Sequence, residues 1–299
     1  GIPIVWRAGG SRISLAQRIA LWLLARFLKP DLLLCNGEAV RRLFHPLIRG
    51  PVAVVPNGVD PGLFGPRLGD PELYRPHGAR LVVGFAGRLA ASKHVEDVIA
   101  LARRLNGSHP DVAVLIAGSG SEREACERAV REAGVENLSF LGFVSDMASF
   151  YRACDILVLP SDSEGSSNVL LEAMRSEVPV VAAAIPPILE LVESGKTGLV
   201  YPLRDVDALA AAVEQLVADR ELRVRLGREG ARRVAFLTAE ATASRLAKIL
   251  SDVVAARATR ESRRSKVETS LATTSPLPDP RRASSADPRI HASSPRRTG

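Results

Sequence analysis

Nine short apolar runs recur between residues 3 and 201, at 3–6, 32–35, 52–55, 81–86, 112–117, 138–141, 156–160, 178–182 and 199–201. Each is three to six residues long, rich in Val, Ile, Leu or Ala, and too short to be a helix. They lack the polar alternation of a strand that is wet on one face, so they read as strands buried on both faces. Between them lie segments with helical apolar spacing, such as 95–105, 122–133 and 206–216. Buried strands alternating with helices leave one architecture: an α/β chain of parallel sheets with helices on both faces.

Six of the strands and their crossovers fall within 80–235, the content of one complete Rossmann-like domain. Residues 1–50 offer only two strands and two or three helices, a partial domain of the same kind. A strand at residue 3 with no sheet before it leaves an edge bare, which suggests that the chain begins inside a domain. Residues 51–79, rich in Pro and Gly and containing "PNGVDP", read as a linker. Helical spacing returns over 236–257 and then stops. Residues 258–299 carry nine Lys/Arg against four Asp/Glu, and the rest of the chain 31 against 29, so the net charge of +7 is mostly a property of the tail. The tail's Ser, Thr, Pro and Arg predict disorder. Aromatic residues make up only 4% of the chain, so no base-stacking surface is indicated and nucleic acid is not expected as a partner.

Cys35, Cys126 and Cys154 are scattered without a C-x-x-C pair, and the five histidines are dispersed. Neither a disulfide framework nor a zinc site follows, and a reducing, cytoplasmic setting fits. Residues 14–28 form the most apolar helix, but Arg18 and Arg26 interrupt it, so it should not span a bilayer. With Arg12, Arg18, Arg26 and Lys29 around its apolar face, that helix has two uses open to it. It can pack within the partial domain, or it can meet a membrane surface peripherally.

"GFAGRLAASKHVEDVIALA" (84–102) is a strand, a loop and a helix. A loop after a parallel strand faces the ligand crevice. Arg88 and Lys93 there either clamp a diphosphate, Arg by its fork and Lys as a point charge, or are ordinary surface cations. "IAGSGSERE" (116–124) puts Gly118 and Gly120 at a strand-to-helix turn. Arg123 occupies the third glycine position of a dinucleotide fingerprint, and "LSFLGF" supplies no acid after the next strand. A NAD site is therefore unsupported, and a tight turn or close backbone approach is what remains. Asp205 and Asp207 in "RDVDALAAAV" introduce a helix, where capping explains them better than a metal does.

"SEGSSNVLLEAM" (163–174) follows a buried strand. A helix starting near Asn168, with Asn168 as N-cap, would turn the amides of Ser167, Val169 and Leu170 toward the crevice as an anion site. Glu164 lies on the turn and Glu172 one turn into the helix, and carboxylates accept paired hydrogen bonds from sugar hydroxyls. A nucleotide-sugar laid across this turn would rest its diphosphate on the amides, with its ribose beside one glutamate and its hexose beside the other.

These segments, together with "VVPNGVD", "FLGFVSDMASFYRACDILVLPSD" and "GLVYPLRDVDALAAAV", resemble the retaining GT-B glycosyltransferases of family 4, the group 1 glycosyl transferases, over residues 52–235. The resemblance implies an acceptor-side domain at 1–50, a nucleotide-sugar domain at 80–235 and a helix at 236–257 that crosses back. It implies that Arg88 and Lys93 hold the donor diphosphate. Glu164 would lie beside the donor sugar, as nucleophile or electrostatic stabiliser, and Glu172 would bind the ribose. The backbone of Gly165, Ser166, Ser167, Asn168, Val169 and Leu170 would contact hexose and phosphate, with Val144 beside the base and Gly118 among the donor-binding residues. The implied reaction moves a sugar, with retention, from a nucleotide-sugar to a lipid-linked, polysaccharide or small-molecule acceptor, with no metal or cofactor.

Residues 1–50 lack the family's glycine-rich acceptor loop. "VWRAGGS" carries Arg7 where the family often has a histidine, and His94 stands where a glycine commonly follows the lysine. Arg7 is not read as catalytic, and His94 reads as a helix-start residue. Leu32–Cys35 and the apolar face of 19–24 are expected to lack partners. Two alternatives stay open: a nucleotide-sugar-binding module that transfers nothing by itself, and a nucleotide-sugar epimerase of the same fold.

Overall fold

The computed structural model describes residues 4–10, 13–48 and 50–272. Pro3, Arg12 and residues 273–299 of the expected tail lie outside them. The chain divides into two compact units, Gly1–Val253 and Val254–Gly299.

Two wholly parallel sheets make up the first unit. The smaller has the order β1 (Val5–Ala8), β2 (Leu32–Cys35), β3 (Val52–Val54), with α1 (Leu15–Leu28) and α2 (Glu38–Phe44) as crossovers. The larger comprises β4 (Leu81–Ala86), β5 (Val112–Ala117), β6 (Leu138–Gly142), β7 (Ile156–Leu159), β8 (Val180–Ala183) and β9 (Leu199–Tyr201). Its helices are α3 (Val95–Ser108), α4 (Arg123–Glu132), α5 (Met147–Ala153), α6 (Asn168–Arg175), α7 (Pro186–Leu189), α8 (Val206–Ala218) and α9 (Arg220–Val234). The strand order is β6-β5-β4-β7-β8-β9, the doubly wound arrangement. Side chains alternate across β4: Leu81, Val83 and Phe85 join the core formed with α3, α4 and α8, while Val82 and Ala86 join the core formed with α5 and α6. That two-sided burial is why the strands read as unbroken apolar runs.

α10 (Ala239–Ala272) continues past Arg257, so the disorder expected from residue 258 is corrected over 258–272. That stretch loses apolar periodicity, but it contains no Gly or Pro, and its Ala, Arg, Lys and Glu favour helix. Within the first unit, Leu246, Ile249 and Val253 of α10 pack on Leu32, Leu34 and Val55 of the small sheet. β2, expected to lack partners, is instead buried on both faces, since Leu33 and Cys35 pack with Val40, Phe44 and Ala25 on the other side. The α1 face is different: Ile19, Trp22, Leu23 and Leu24 are 43–52% exposed, and Phe27 is 80% exposed. No described helix is long and apolar enough to cross a membrane.

The loops after β4 and β5 touch backbone to backbone. Gly118 has φ +145°, and a Cβ there would lie 1.8 Å from the Gly87 carbonyl oxygen. Gly118→Ala is therefore expected to cost about 2–4 kcal/mol in urea unfolding. Gly107→Ala, in α3 with open space around it, should be neutral or gain up to about 1 kcal/mol.

Candidate active site

β4 pairs with β5 on one side and β7 on the other, which makes the carboxyl ends of β4 and β7 the switch point of the sheet, where a ligand crevice is expected. There Lys93 Nζ lies 2.5 Å from Glu164 Oε1, with the two side chains 21% and 10% exposed. Arg88, on the same loop as Lys93, is exposed and makes no hydrogen bond or ion pair with the other described residues. The two loops meet at two further points. Asp162 N donates to Ser92 O at 3.1 Å, and His94 Nε2 lies 3.2 Å from Asp162 Oδ2. His94 is the N-cap of α3, in the left-handed region, and is buried.

The start of α6 differs by one residue from the expectation. Ser167, not Asn168, is the N-cap, with its Oγ accepting from Leu170 N at 3.5 Å. The Asn168 side chain is engaged elsewhere, accepting from Asn57 Nδ2 at 2.7 Å. The Leu170 amide is thus taken, and its side chain is fully buried in the core. The amides of Asn168 and Val169 have no acceptor among the described residues, and they sit at the positive end of the helix dipole.

Glu172, the next carboxylate along α6, accepts from Tyr151 Oη at 2.9 Å. Burial raises its pKa, and the Tyr151 hydrogen bond opposes that only in part. Tyr151 is itself fully buried, so burial, the Glu172 charge and this bond push its phenol well above the usual range. Val144 is buried with its side chain in the core, which leaves its backbone for any contact in the crevice.

Several contacts that the sequence did not disclose hold the turn before α6 against the small sheet. Asn57 N donates to Ser166 Oγ at 3.2 Å and Asn57 Nδ2 to Ser166 O at 2.9 Å, so the residue read only as part of a turn grips 166–168. Gly165 admits Asn36, whose Nδ2 would lie 2.5 Å from a Cβ at that position. Glu190 accepts from the first amides of α2, Glu38 N at 3.0 Å and Ala39 N, in place of a side-chain N-cap on Gly37. A cleft of about 420 Å³ between the two sheets is lined by Arg7, Asn36, Asn57, Asn168 and Thr242, over a floor that includes Leu34 and Leu246.

Asp205 accepts from Ala208 N at 2.9 Å as the cap of α8, and Asp207 pairs with Arg104. No group of three His, Cys, Asp or Glu among the described residues is placed to hold a metal ion. The three cysteines are free and buried.

Residues 74–233 match the family model described as Glycosyl transferases group 1. The alpha-D-kanosaminyltransferase of Streptomyces kanamyceticus is 35% identical over 155 residues, which covers 51% of this chain and 40% of that protein. The D-inositol 3-phosphate glycosyltransferase of Stackebrandtia nassauensis is 30% identical over 252 residues, 76% of this chain and 55% of that one. The chain spans about half the length of these curated relatives. Among solved structures, Anabaena HepE in complex with UDP and glucose superposes with a TM-score of 0.74 at 24% identity, covering 84% of this chain and 72% of that one.

With its folded-state pKa above the unfolded one, Glu172 binds its proton more tightly in the native protein. Its contribution favours the fold below its ordinary range and is lost as pH rises through the raised value. Glu172→Gln is therefore expected to stabilise the ligand-free protein at about pH 8 and to flatten this part of the stability–pH curve. Thermal unfolding of both proteins between about pH 4 and pH 8 checks it.

Proposed function

Because the chain belongs to the group 1 glycosyl transferases, we propose that it transfers a sugar from a nucleotide-sugar to an acceptor hydroxyl, with the retention of configuration that marks family 4. The observation that carries this reading is the convergence, at the β4/β7 crevice, of Lys93, Glu164 and the amide end of α6. Arg88 stands on the same loop as Lys93, and Glu172 lies one turn into α6.

Lys93 is paired with Glu164. An incoming diphosphate competes for Lys93 and adds Arg88 and the α6 amides, so Glu164 is released toward the donor sugar. Glu172, fixed by Tyr151, accepts from the ribose hydroxyls. As the bond from the anomeric carbon to the diphosphate breaks, its electron pair passes to a diphosphate oxygen. Arg88, Lys93 and the helix amides lower the cost of that charge without reorganising. The acceptor oxygen bonds to the anomeric carbon on the face the leaving group vacates, and its proton goes to the departing diphosphate. Glu164 stabilises the positive charge that develops on the sugar. No second carboxylate is assigned beside that carbon, so a double displacement is not part of the reading, and the reading calls for no metal.

A nucleotide-sugar-binding module that transfers nothing by itself is the second reading, and the exposed apolar face of α1 favours it. Such a face suits burial against a further polypeptide completing the acceptor side. Product analysis with and without candidate partner chains separates the two.

Calorimetric titration with UDP, GDP and ADP tests the donor site, with UDP first because the HepE structure holds it. One nucleotide should bind, and Arg88→Ala and Glu172→Ala should each weaken it by about tenfold or more. A folded chain that binds none of the three overturns the reading.

A further inference from the structure

We infer that His94 is a positioning residue, which through Asp162 holds the Lys93 loop against the Glu164 loop and does so fully only when its imidazole is protonated. The consequence for donor binding rests on the reading of the site given above; the geometry of the bridge does not.

The His94 ring is 3% exposed and stands between two carboxylates. Nδ1 lies 3.0 Å from Glu96 Oε1 and Nε2 lies 3.2 Å from Asp162 Oδ2. A neutral imidazole has one N–H, so it can donate to one of these carboxylates while its other nitrogen turns a lone pair toward the second. The imidazolium donates to both. Arg204 gives the neutral ring another option, because its Nη2 lies 3.3 Å from the same Nε2. With the proton on Nδ1, Nε2 accepts from Arg204 and Asp162 loses its donor from the ring. The charged groups around the imidazole are Glu96 and Asp97 on α3, Asp162 on the loop after β7, and Arg204 on the loop after β9. Burial, the largest single influence, and the Arg204 charge lower the pKa of His94, while the bonds to Glu96 and Asp162 and the Glu96 charge raise it, and the net direction is up.

Backbone conformation points the same way. His94 has φ 46° and Arg204 φ 66°, both in the left-handed region that a residue with a Cβ adopts at a cost. Their side chains converge on one carboxylate, since Arg204 Nη2 also lies 4.0 Å from Asp162 Oδ2. His94 directly follows Lys93, and Asp162 lies two residues before Glu164. The Asp162 N to Ser92 O bond makes the bridge a second link between the same two loops. Loosening it leaves the backbone bond alone to keep the Lys93–Glu164 pair in register, and touches neither residue.

The test uses the full chain, His94→Asn and Asp162→Asn. Asn tolerates the left-handed backbone and cannot titrate. Proton NMR follows the His94 ring, assigned by its absence in His94→Asn. Its midpoint should lie above the ordinary histidine value in the wild type and fall in Asp162→Asn; an unmoved midpoint overturns the bridge. Calorimetry with UDP, GDP and ADP is then run from about pH 6 to about pH 8.5. The nucleotide's own titration is common to both proteins, so the wild-type affinity should fall about tenfold relative to His94→Asn across that range. Parallel profiles overturn the positioning role. If His94 titrates as described and no nucleotide binds at any pH, the donor-site reading fails and the positioning role with it, while the bridge stands. The NMR and the calorimetry thus report the two failures separately.

Discussion

β4 is hydrogen-bonded to β5 on one side and to β7 on the other, and the site depends on that double pairing. In a parallel sheet each strand delivers its following loop to the same end. Loops after neighbouring strands normally cross to the same side and cover one another. At β4 the chain sets out toward β5 and returns on the far side at β7, so the helices after the two loops run to opposite faces of the sheet while the loops themselves stay in contact at the switch point. Lys93 and Glu164 are 71 residues apart in the chain, yet this topology makes them neighbours. Gly118 contributes from the other direction, because its missing Cβ lets the loop after β5 sit directly on Gly87 and hold the Arg88 loop from behind.

Lys93 and Glu164 are paired at low exposure, where either charge left without the other would be costly. The same pairing means that any anion approaching Lys93 competes with Glu164, so its affinity would be a difference and not the whole strength of its contact with the lysine. Glu172 follows the opposite logic. Among the described residues its partner is a phenol and not a cation, so its carboxylate is kept at some expense to stability.

Much of this was legible in the sequence because burial on both faces writes a parallel strand as an unbroken apolar run. Leu81–Ala86 and Val112–Ala117 are strands at the expected residues. What the sequence hid was decided by distant partners. Ser167 and Asn168 are equally good caps locally, and Asn57, more than a hundred residues earlier, takes the Asn168 side chain and leaves the cap to Ser167. Leu32–Cys35 seemed bare because its cover, Leu246 and Ile249, arrives from the last helix. Residues 258–272 were misjudged because apolar periodicity reports what a helix packs against, not whether the backbone is helical.

The two sheets are joined by two chain crossings that lie side by side. Val59 N donates to Leu237 O, Ala239 N donates to Val59 O, and Thr242 Oγ1 donates to Pro56 O. Gly58 sits so close that a Cβ would fall 2.2 Å from Thr238 O. Two crossings bound to each other tie the sheets more firmly than one crossing could, because sliding or twisting one sheet against the other would break those bonds. The Asn57 contacts to Ser166 and Asn168 add a further tie between residues up to 111 apart in the chain, beside the turn that carries Glu164.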